Sequence, residues 1–224
     1  MQARIQALMD ATFVRTWTRD RKLRAREETV PSRLLVQSVE KIDNPERFGC
    51  YSKRRDEFSS SRAVPSEYEI VSVISAAYFK ELAGVDPCVS EAFLFHGTSR
   101  DSTVKIATRN LRLGHARSDG LFGKAGYFAE HSSKADEYSK QDGSGVYTMM
   151  ICRVVLGATL VTDEHHNDAR RMRELHGALD RGDCQSIMGV RRKTGYREFA
   201  IRDFELVYPE FIVRYHKQWT HMDD

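Results

Sequence analysis

Apolar positions along the chain follow two periods. Near the N-terminus, Ile5, Leu8, Met9 and Phe13 form one stripe at i, i+3, i+4, i+8 spacing, which predicts an amphipathic helix over residues 2–26. Thr12 is a polar interruption on that face, and Pro31 stops any helix before Ser32. Residues 34–39, mostly apolar with β-branched members, read as a strand. Asp43-Asn44-Pro45 marks a turn, with Pro45 opening a helix over 45–58. Residues 59–62 are a loop. A further helix is expected over 69–82, with Val71, Ile74, Ala77 and Tyr78 on one face and Gly84 as its stop, before an Asp86-Pro87 turn.

The second half of the pattern is richer in β-like segments. Ala92-Phe93-Leu94-Phe95 is a short buried strand that delivers His96-Gly97-Thr98-Ser99 to its end. A histidine there is either a satisfied core side chain or one that faces a ligand, and Gly97, lacking Cβ, leaves its backbone open to a flat molecule. Taken alone, the tetrapeptide reads more readily as core. A helix follows over 102–109, with Val104 and Ala107 placed to pack, and Leu111-Arg112-Leu113-Gly114 leads out of it. Four glycines fall within 114–126, with Phe122 among them and Tyr127 and Phe128 just after. Such a segment is either a surface loop or one that wraps something. Ser132 is placed to cap a helix running through Tyr138. Residues 146–156 form the clearest strand, suited to burial on both faces, and 164–181 a polar, peripheral helix. Gly189 and Gly195 flank the basic turn Arg191-Arg192-Lys193. Three β-like segments close the chain, over 196–202, 205–208 and 210–215. Strand periodicity puts Glu198 with Tyr196 and Ala200, away from Phe199 and Ile201, where it lines a cleft or faces water; by itself, water is the simpler reading.

Composition narrows this mixed α+β picture only slightly. The chain has 224 residues, enough for one domain, and a net charge of +3, too small to imply nucleic acid on its own. The run of Arg15, Arg19, Arg21, Lys22, Arg24 and Arg26 suits either an acidic partner or, more simply, a solvated helix end. Cys50, Cys88, Cys152 and Cys184 show no C-x-x-C spacing, so neither a metal site nor a disulfide framework is signalled, and reduced thiols in the cytoplasm or nucleus are expected. No apolar stretch is long enough for a membrane span.

Several blocks together resemble the catalytic domain of the PARP family of ADP-ribosyltransferases. They are Phe95-His96-Gly97-Thr98-Ser99, then Leu121 through Glu130, then Ser132-Ser133-Lys134-Ala135 to Tyr138, then Tyr196-Arg197-Glu198-Phe199, and Val207-Tyr208-Pro209-Glu210-Phe211. Val39 through Pro45 resembles the family's first strand and helix, so the likeness runs in order over roughly residues 34–216. It implies an ADP-ribosyltransferase-like α+β fold, with two packed, mostly antiparallel sheets around an NAD cleft and peripheral helices. Residues 1–33 would be a helical extension packed on the domain and 217–224 a tail.

The resemblance also implies chemistry. His96, Tyr127 and Glu198 match the family's triad, and NAD is the implied substrate, with ADP-ribose passing to an acceptor and nicotinamide leaving. His96 would bond the adenosine-side ribose, the Gly97 backbone beside Thr98 would read the carboxamide, Tyr127 would line the nicotinamide pocket, and Tyr138 would stack on the ring. Arg112 matches a less diagnostic position near the adenosine. Glu198 would stabilise the developing ribose cation, and its presence permits chain elongation if the 190–195 turn also holds an ADP-ribose acceptor, for whose phosphates Arg191, Arg192 and Lys193 are candidates. Expected partners are protein acceptors, the enzyme itself among them, with the chain a monomer. Nucleic acid is not required for activity but is admissible as an acceptor. A single-unit transferase, or a silent module that only binds NAD or ADP-ribose, is the alternative. The chain departs from the family at two places. Ala135 stands where a serine hydroxyl usually meets the carboxamide, unless Ser133 or a water substitutes, and Ala125-Gly126 replaces the usual Gly-Ile. No cysteine falls in 114–145, so the tankyrase-type zinc cluster is not expected, nor is the helical regulatory domain of DNA-dependent members, which has no room before residue 34.

Overall fold

The apolar runs become the centre of one sheet. A computed structural model describes residues 1–18, 20–21, 30–60, 84–116, 120, 122–163, 169–191 and 193–219. Its strands are β1 (Arg33–Lys41), β2 (Glu91–Thr98), β3 (Gly126–Ala129), β4 (Tyr147–Val155), β5 (Thr159–Asp163), β6 (Ser186–Val190), β7 (Arg197–Ile201) and β8 (Val207–Gln218). They are ordered β1-β8-β4-β2-β3-β7-β6-β5, and only β5 and β6 pair in parallel. The two sheets expected are thus two four-stranded halves of one hydrogen-bonded sheet. They meet between β2 and β3 at a single register pair, Phe95 with Ala129.

The centre is buried on both faces, which is why β2 and β4 lack alternation in sequence. Ala92 and Leu94 of β2 join Met150, Cys152 and Val154 of β4 in one core; Phe93 and Phe95 join Met149 and Ile151 in the other. Helix α1 (Gln2–Ala11) closes the second core with Ile5, Leu8 and Met9. It ends fifteen residues before the expected position 26, because Thr12, Val14, Thr16 and Thr18 alternate β-branched side chains that crowd a helical turn. Thr12 sits buried on that face with its polar group satisfied: its hydroxyl donates to the Leu8 carbonyl at 2.8 Å and accepts from the Ser132 amide at 3.4 Å. The basic run is not simply a solvated helix end, since Arg21 is only 4% exposed. Arg19, Lys22, Arg24 and Arg26 lie outside the described residues, as does the helix expected over 69–82.

Helix α2 (Pro45–Ser60) opens at Pro45 as expected. Helix α3 (Arg100–Arg109) starts earlier than its predicted position, with the Ser99 hydroxyl accepting from the Ser102 amide. Of the two residues expected to pack, Ala107 does, beside Thr103 and Ile106, whereas Val104 is 60% exposed. In α4 (Ser132–Asp136) the cap position belongs to His131, and Ser132 instead donates to the Met9 carbonyl at 2.8 Å. Helix α5 (Ala169–Arg181) is not wholly peripheral, since Leu175 is buried against Phe122, Ile187 and Ala200. At the end of the chain, the two last predicted segments are one strand, β8, preceded by the single turn Phe204–Leu206. Among the described residues, no helix is long and apolar enough to cross a membrane.

Candidate active site

The site lies at the seam of the sheet. Phe95 pairs with Ala129 across it, and Ala129 pairs with Glu198, so a single register line runs from β2 through β3 to Glu198 on β7. Beyond Phe95, the edge of β2 that faces β3 has no strand partner among the described residues. His96 and Gly97 occupy that edge. A side chain replaces the missing ladder there, since His96 Nδ1 lies 2.9 Å from the Tyr127 carbonyl. A carbonyl only accepts, so Nδ1 carries the proton and the neutral ring keeps its lone pair on Nε2. Burial lowers the His96 pKa, and the bond to Tyr127 only partly offsets this, so the neutral form is favoured.

Gly97 is required by contact alone. A Cβ there would fall 1.8 Å from the Ala135 carbonyl oxygen and 3.1 Å from the Ser139 amide, both backbone atoms that cannot rotate away. The expected outcome for Gly97→Ala is a protein destabilised by about 1–3 kcal/mol, as for other overpacked sites, because α4 must shift from β2. Thermal melts measure the effect.

Tyr127 serves the glycine-rich segment. Its hydroxyl accepts from the Phe122 amide at 2.8 Å and donates to the Gly123 carbonyl at 2.7 Å, closing the base of that loop. Gly123 adopts a φ of +80° with the His176 ring against it, and His176 Nε2 lies 2.8 Å from the Phe122 carbonyl. Helix α5 therefore anchors the loop. The departures at 125–126 fit this packing: Ala125 is buried with Phe122, and a Cβ on Gly126 would meet the Phe204 ring at 2.7 Å.

Glu198 is 3% exposed, so it does not face water. Its own strand did not hide it; residues from three other segments did. Arg191 Nε donates to Oε2 at 2.8 Å, while Oε1 has Tyr138 Oη at 3.5 Å and Lys134 Nζ at 3.7 Å. Asp20, from the segment after α1, accepts through Oδ2 from Lys134 at 2.7 Å, Tyr138 at 3.0 Å and Arg191 at 3.2 Å. Burial works against the Lys134 charge, but Glu198, Glu137 and Asp20 outweigh it and raise the pKa, so Lys134 stays protonated. Burial and then the Glu198 charge raise Tyr138, which stays a phenol. For Asp20, Lys134 and Arg191 outweigh burial and hold the carboxyl below its usual range.

The structure thus brings Tyr138 and Glu198 together, and joins His96 to the Tyr127 backbone, with Gly97 against α4. Thr98 follows at the end of β2, where its carbonyl accepts from the Lys140 amide at 3.3 Å. Arg112 stands exposed before the turn Leu113–His115, and no hydrogen bond or ion pair links it to this cluster among the described residues. Ser133 does not substitute for the missing serine at 135: its hydroxyl is 3.0 Å from Tyr196 Oη and accepts from the Val14 amide at 3.0 Å. Arg191, a candidate for acceptor phosphates, is turned inward onto Glu198 and Asp20. Sequence reasoning missed Lys134 and Asp20. Lys134 sits four residues before Tyr138, the spacing that places two side chains on one side of a helical turn. For Asp20 no local signal existed.

No group of His, Cys, Asp and Glu side chains able to hold a metal occurs among the described residues. In comparison with known families, residues 20–222 match the model of the poly(ADP-ribose) polymerase catalytic domain.

Proposed function

Because the chain belongs to the poly(ADP-ribose) polymerase catalytic-domain family, whose substrate is NAD, we propose that it transfers ADP-ribose from NAD to protein acceptors and releases nicotinamide. The observation that carries this reading is the buried Glu198 carboxylate, aligned in register with the open edge that bears His96 and Gly97. When the bond from ribose C1′ to nicotinamide breaks, its electron pair stays on the ring nitrogen and nicotinamide leaves neutral. No general acid is needed. Positive charge grows on the ribose, and a fixed carboxylate in a water-poor site stabilises it. An acceptor hydroxyl then forms the new bond to C1′ and gives up its proton.

In this reading Glu198 holds the ribose hydroxyl and faces the developing charge. His96 Nε2, with its lone pair, accepts from the second ribose. The Gly97 N–H and C=O read the carboxamide, without the serine hydroxyl that Ala135 lacks. The Tyr127 and Tyr138 rings flank the nicotinamide in offset stacking, the Tyr127 hydroxyl being engaged in its own loop. Thr98 lies beside this pocket, and Arg112 is left to the adenosine end.

Glu198 permits the product to be a chain. The bond from Arg191 to Glu198 favours a second reading, transfer of single units, because elongation requires the acceptor-side turn to release that arginine. Incubation with labelled NAD, read on a gel beside nicotinamide release, tests both. Label is expected on the enzyme itself or on added protein: a ladder indicates chains, a sharp band single units. Background nicotinamide release with no label on any protein would overturn the transferase reading and leave a binding module. RNA and DNA ends offered alongside protein separate nucleic-acid acceptors from protein ones.

A further inference from the structure

Asp20 and Glu198 share the same three neighbours. Lys134 Nζ is 2.7 Å from Asp20 and 3.7 Å from Glu198; Tyr138 Oη is 3.0 Å from Asp20 and 3.5 Å from Glu198; and Arg191 reaches both, through Nη2 and Nε. The shorter contact from Lys134 and from Tyr138 goes to Asp20. A phenol has one proton, so Tyr138 gives it to Asp20 and not to Glu198. Lys134 divides its short bonds between Asp20 and Glu137, the latter also at 2.7 Å. Glu198 Oε2 is held by Arg191, and Oε1 has no donor closer than 3.5 Å among these three.

The geometry points to Asp20 as a positioning residue that draws Lys134 and Tyr138 away from Glu198 and so keeps Oε1 open for the ribose hydroxyl. This rests on the reading of Glu198 given above. Without the Asp20 carboxylate, Tyr138 has Glu198 Oε1 at 3.5 Å as its next acceptor, and Lys134, still bonded to Glu137, turns the N–H it gave Asp20 toward Oε1 at 3.7 Å, so Oε1 would be filled before substrate arrived. The site is built to hold Asp20 there. Thr18 donates to Glu137 at 2.6 Å, and Arg21 bonds Asp136 at 2.9 Å and the Ser133 carbonyl at 3.0 Å. Further back, the Val14 carbonyl accepts from Tyr196 at 3.0 Å. Val14, Thr18 and Arg21 are therefore tied to α4 and the residue after it, on both sides of Asp20, by bonds that do not involve it, and a change at Asp20 leaves those ties in place.

The test compares the full chain with Asp20→Ala and Asp20→Glu. Nicotinamide release, thermal melting and the carboxyl resonance of Glu198 in protein labelled with 13C-carboxyl glutamate are measured, the resonance being assigned by its loss in Glu198→Gln. For Asp20→Ala the expected result is a fall in kcat of about tenfold to a hundredfold with KM for NAD within about threefold. Asp20→Glu restores part of the rate, and Asp20→Ala displaces the Glu198 resonance. If the unaltered chain releases no nicotinamide, the transferase reading fails and the Glu198 resonance alone decides the placement of Asp20. An unmoved resonance in Asp20→Ala overturns the proposal whatever the rate. So does a rate loss that follows the unfolded fraction and that Asp20→Glu does not relieve.

Discussion

Glu198→Gln is expected to lower nicotinamide release by about a hundredfold to a thousandfold, the range seen when one preorganised electrostatic group is removed from a transition state. The side chain keeps its size, and the register pairs of β7 with β3 and β6 are backbone pairs, so the fold is unchanged. What disappears is a negative charge 3% exposed, where solvent does little to screen it. The amide also sets an N–H group against Arg191, which already donates there, or leaves that arginine with a weaker, neutral acceptor. In the reading proposed above, ground-state binding rests mainly on the Gly97 backbone and the tyrosine rings, so KM for NAD should stay within about threefold. Any chain elongation is abolished. Steady-state kinetics and the automodification gel read both. A variant that still made chains, or one whose kcat was unchanged, would remove Glu198 from the role proposed for it.

The largest stability effect is expected at Arg153, far from this chemistry. It lies on β4, 3% exposed, between Glu91 on β2 and Glu210 on β8. Its Nη1 donates to Glu91 at 3.1 Å and to the Gly84 carbonyl at 3.0 Å, and its Nε to Glu210 at 3.0 Å. The guanidinium also sits over the Phe93 ring, 4.7 Å from the centroid. Arg153→Met keeps much of the volume but leaves two buried carboxylates on neighbouring strands without their cation. Breaking a buried pair in this way costs about 3–5 kcal/mol, and a chain of this size then melts about 10 °C lower. Replacing Glu91, Arg153 and Glu210 together by apolar residues of similar volume should recover part of the loss, because no charge is then stranded, although the Tyr51 hydroxyl and the Asp86 amide lose Glu91 as their acceptor. Thermal and urea melts measure it. Melting within about 2 °C of the unaltered protein would show that Arg153 is not needed to neutralise this triad.

The contrast between these two residues shows what was legible beforehand. Arg153 falls inside the clearest apolar run of the chain, where a cation is conspicuous, yet its partners Glu91 and Glu210 come from strands 62 and 57 residues away in sequence. Glu198 was legible as a strand residue facing away from Phe199, but not as buried. The covering groups, Lys134, Arg191 and Asp20, come from α4, a turn and the N-terminal segment, and no local period records such a meeting. The one-residue seam between Phe95 and Ala129, where two expected sheets become one, is likewise a property of pairing and not of either strand.

Local pattern determined the strands at the centre of the sheet, because burial on both faces demands an unbroken apolar run whatever the neighbours. It determined Pro45 as a helix start and Gly97 as a position without a side chain. In their order, the blocks around His96, Tyr127, Tyr138 and Glu198 determined the family and its substrate, NAD. Only the tertiary structure decided that α1 ends at Ala11, that Val104 faces outward, that Arg191 turns in, and that Asp20 enters the site. Each of those outcomes depends on which buried charge finds a partner and which face a distant element covers. Such energies belong to pairs of residues far apart in the chain, and neither member of a pair carries them alone.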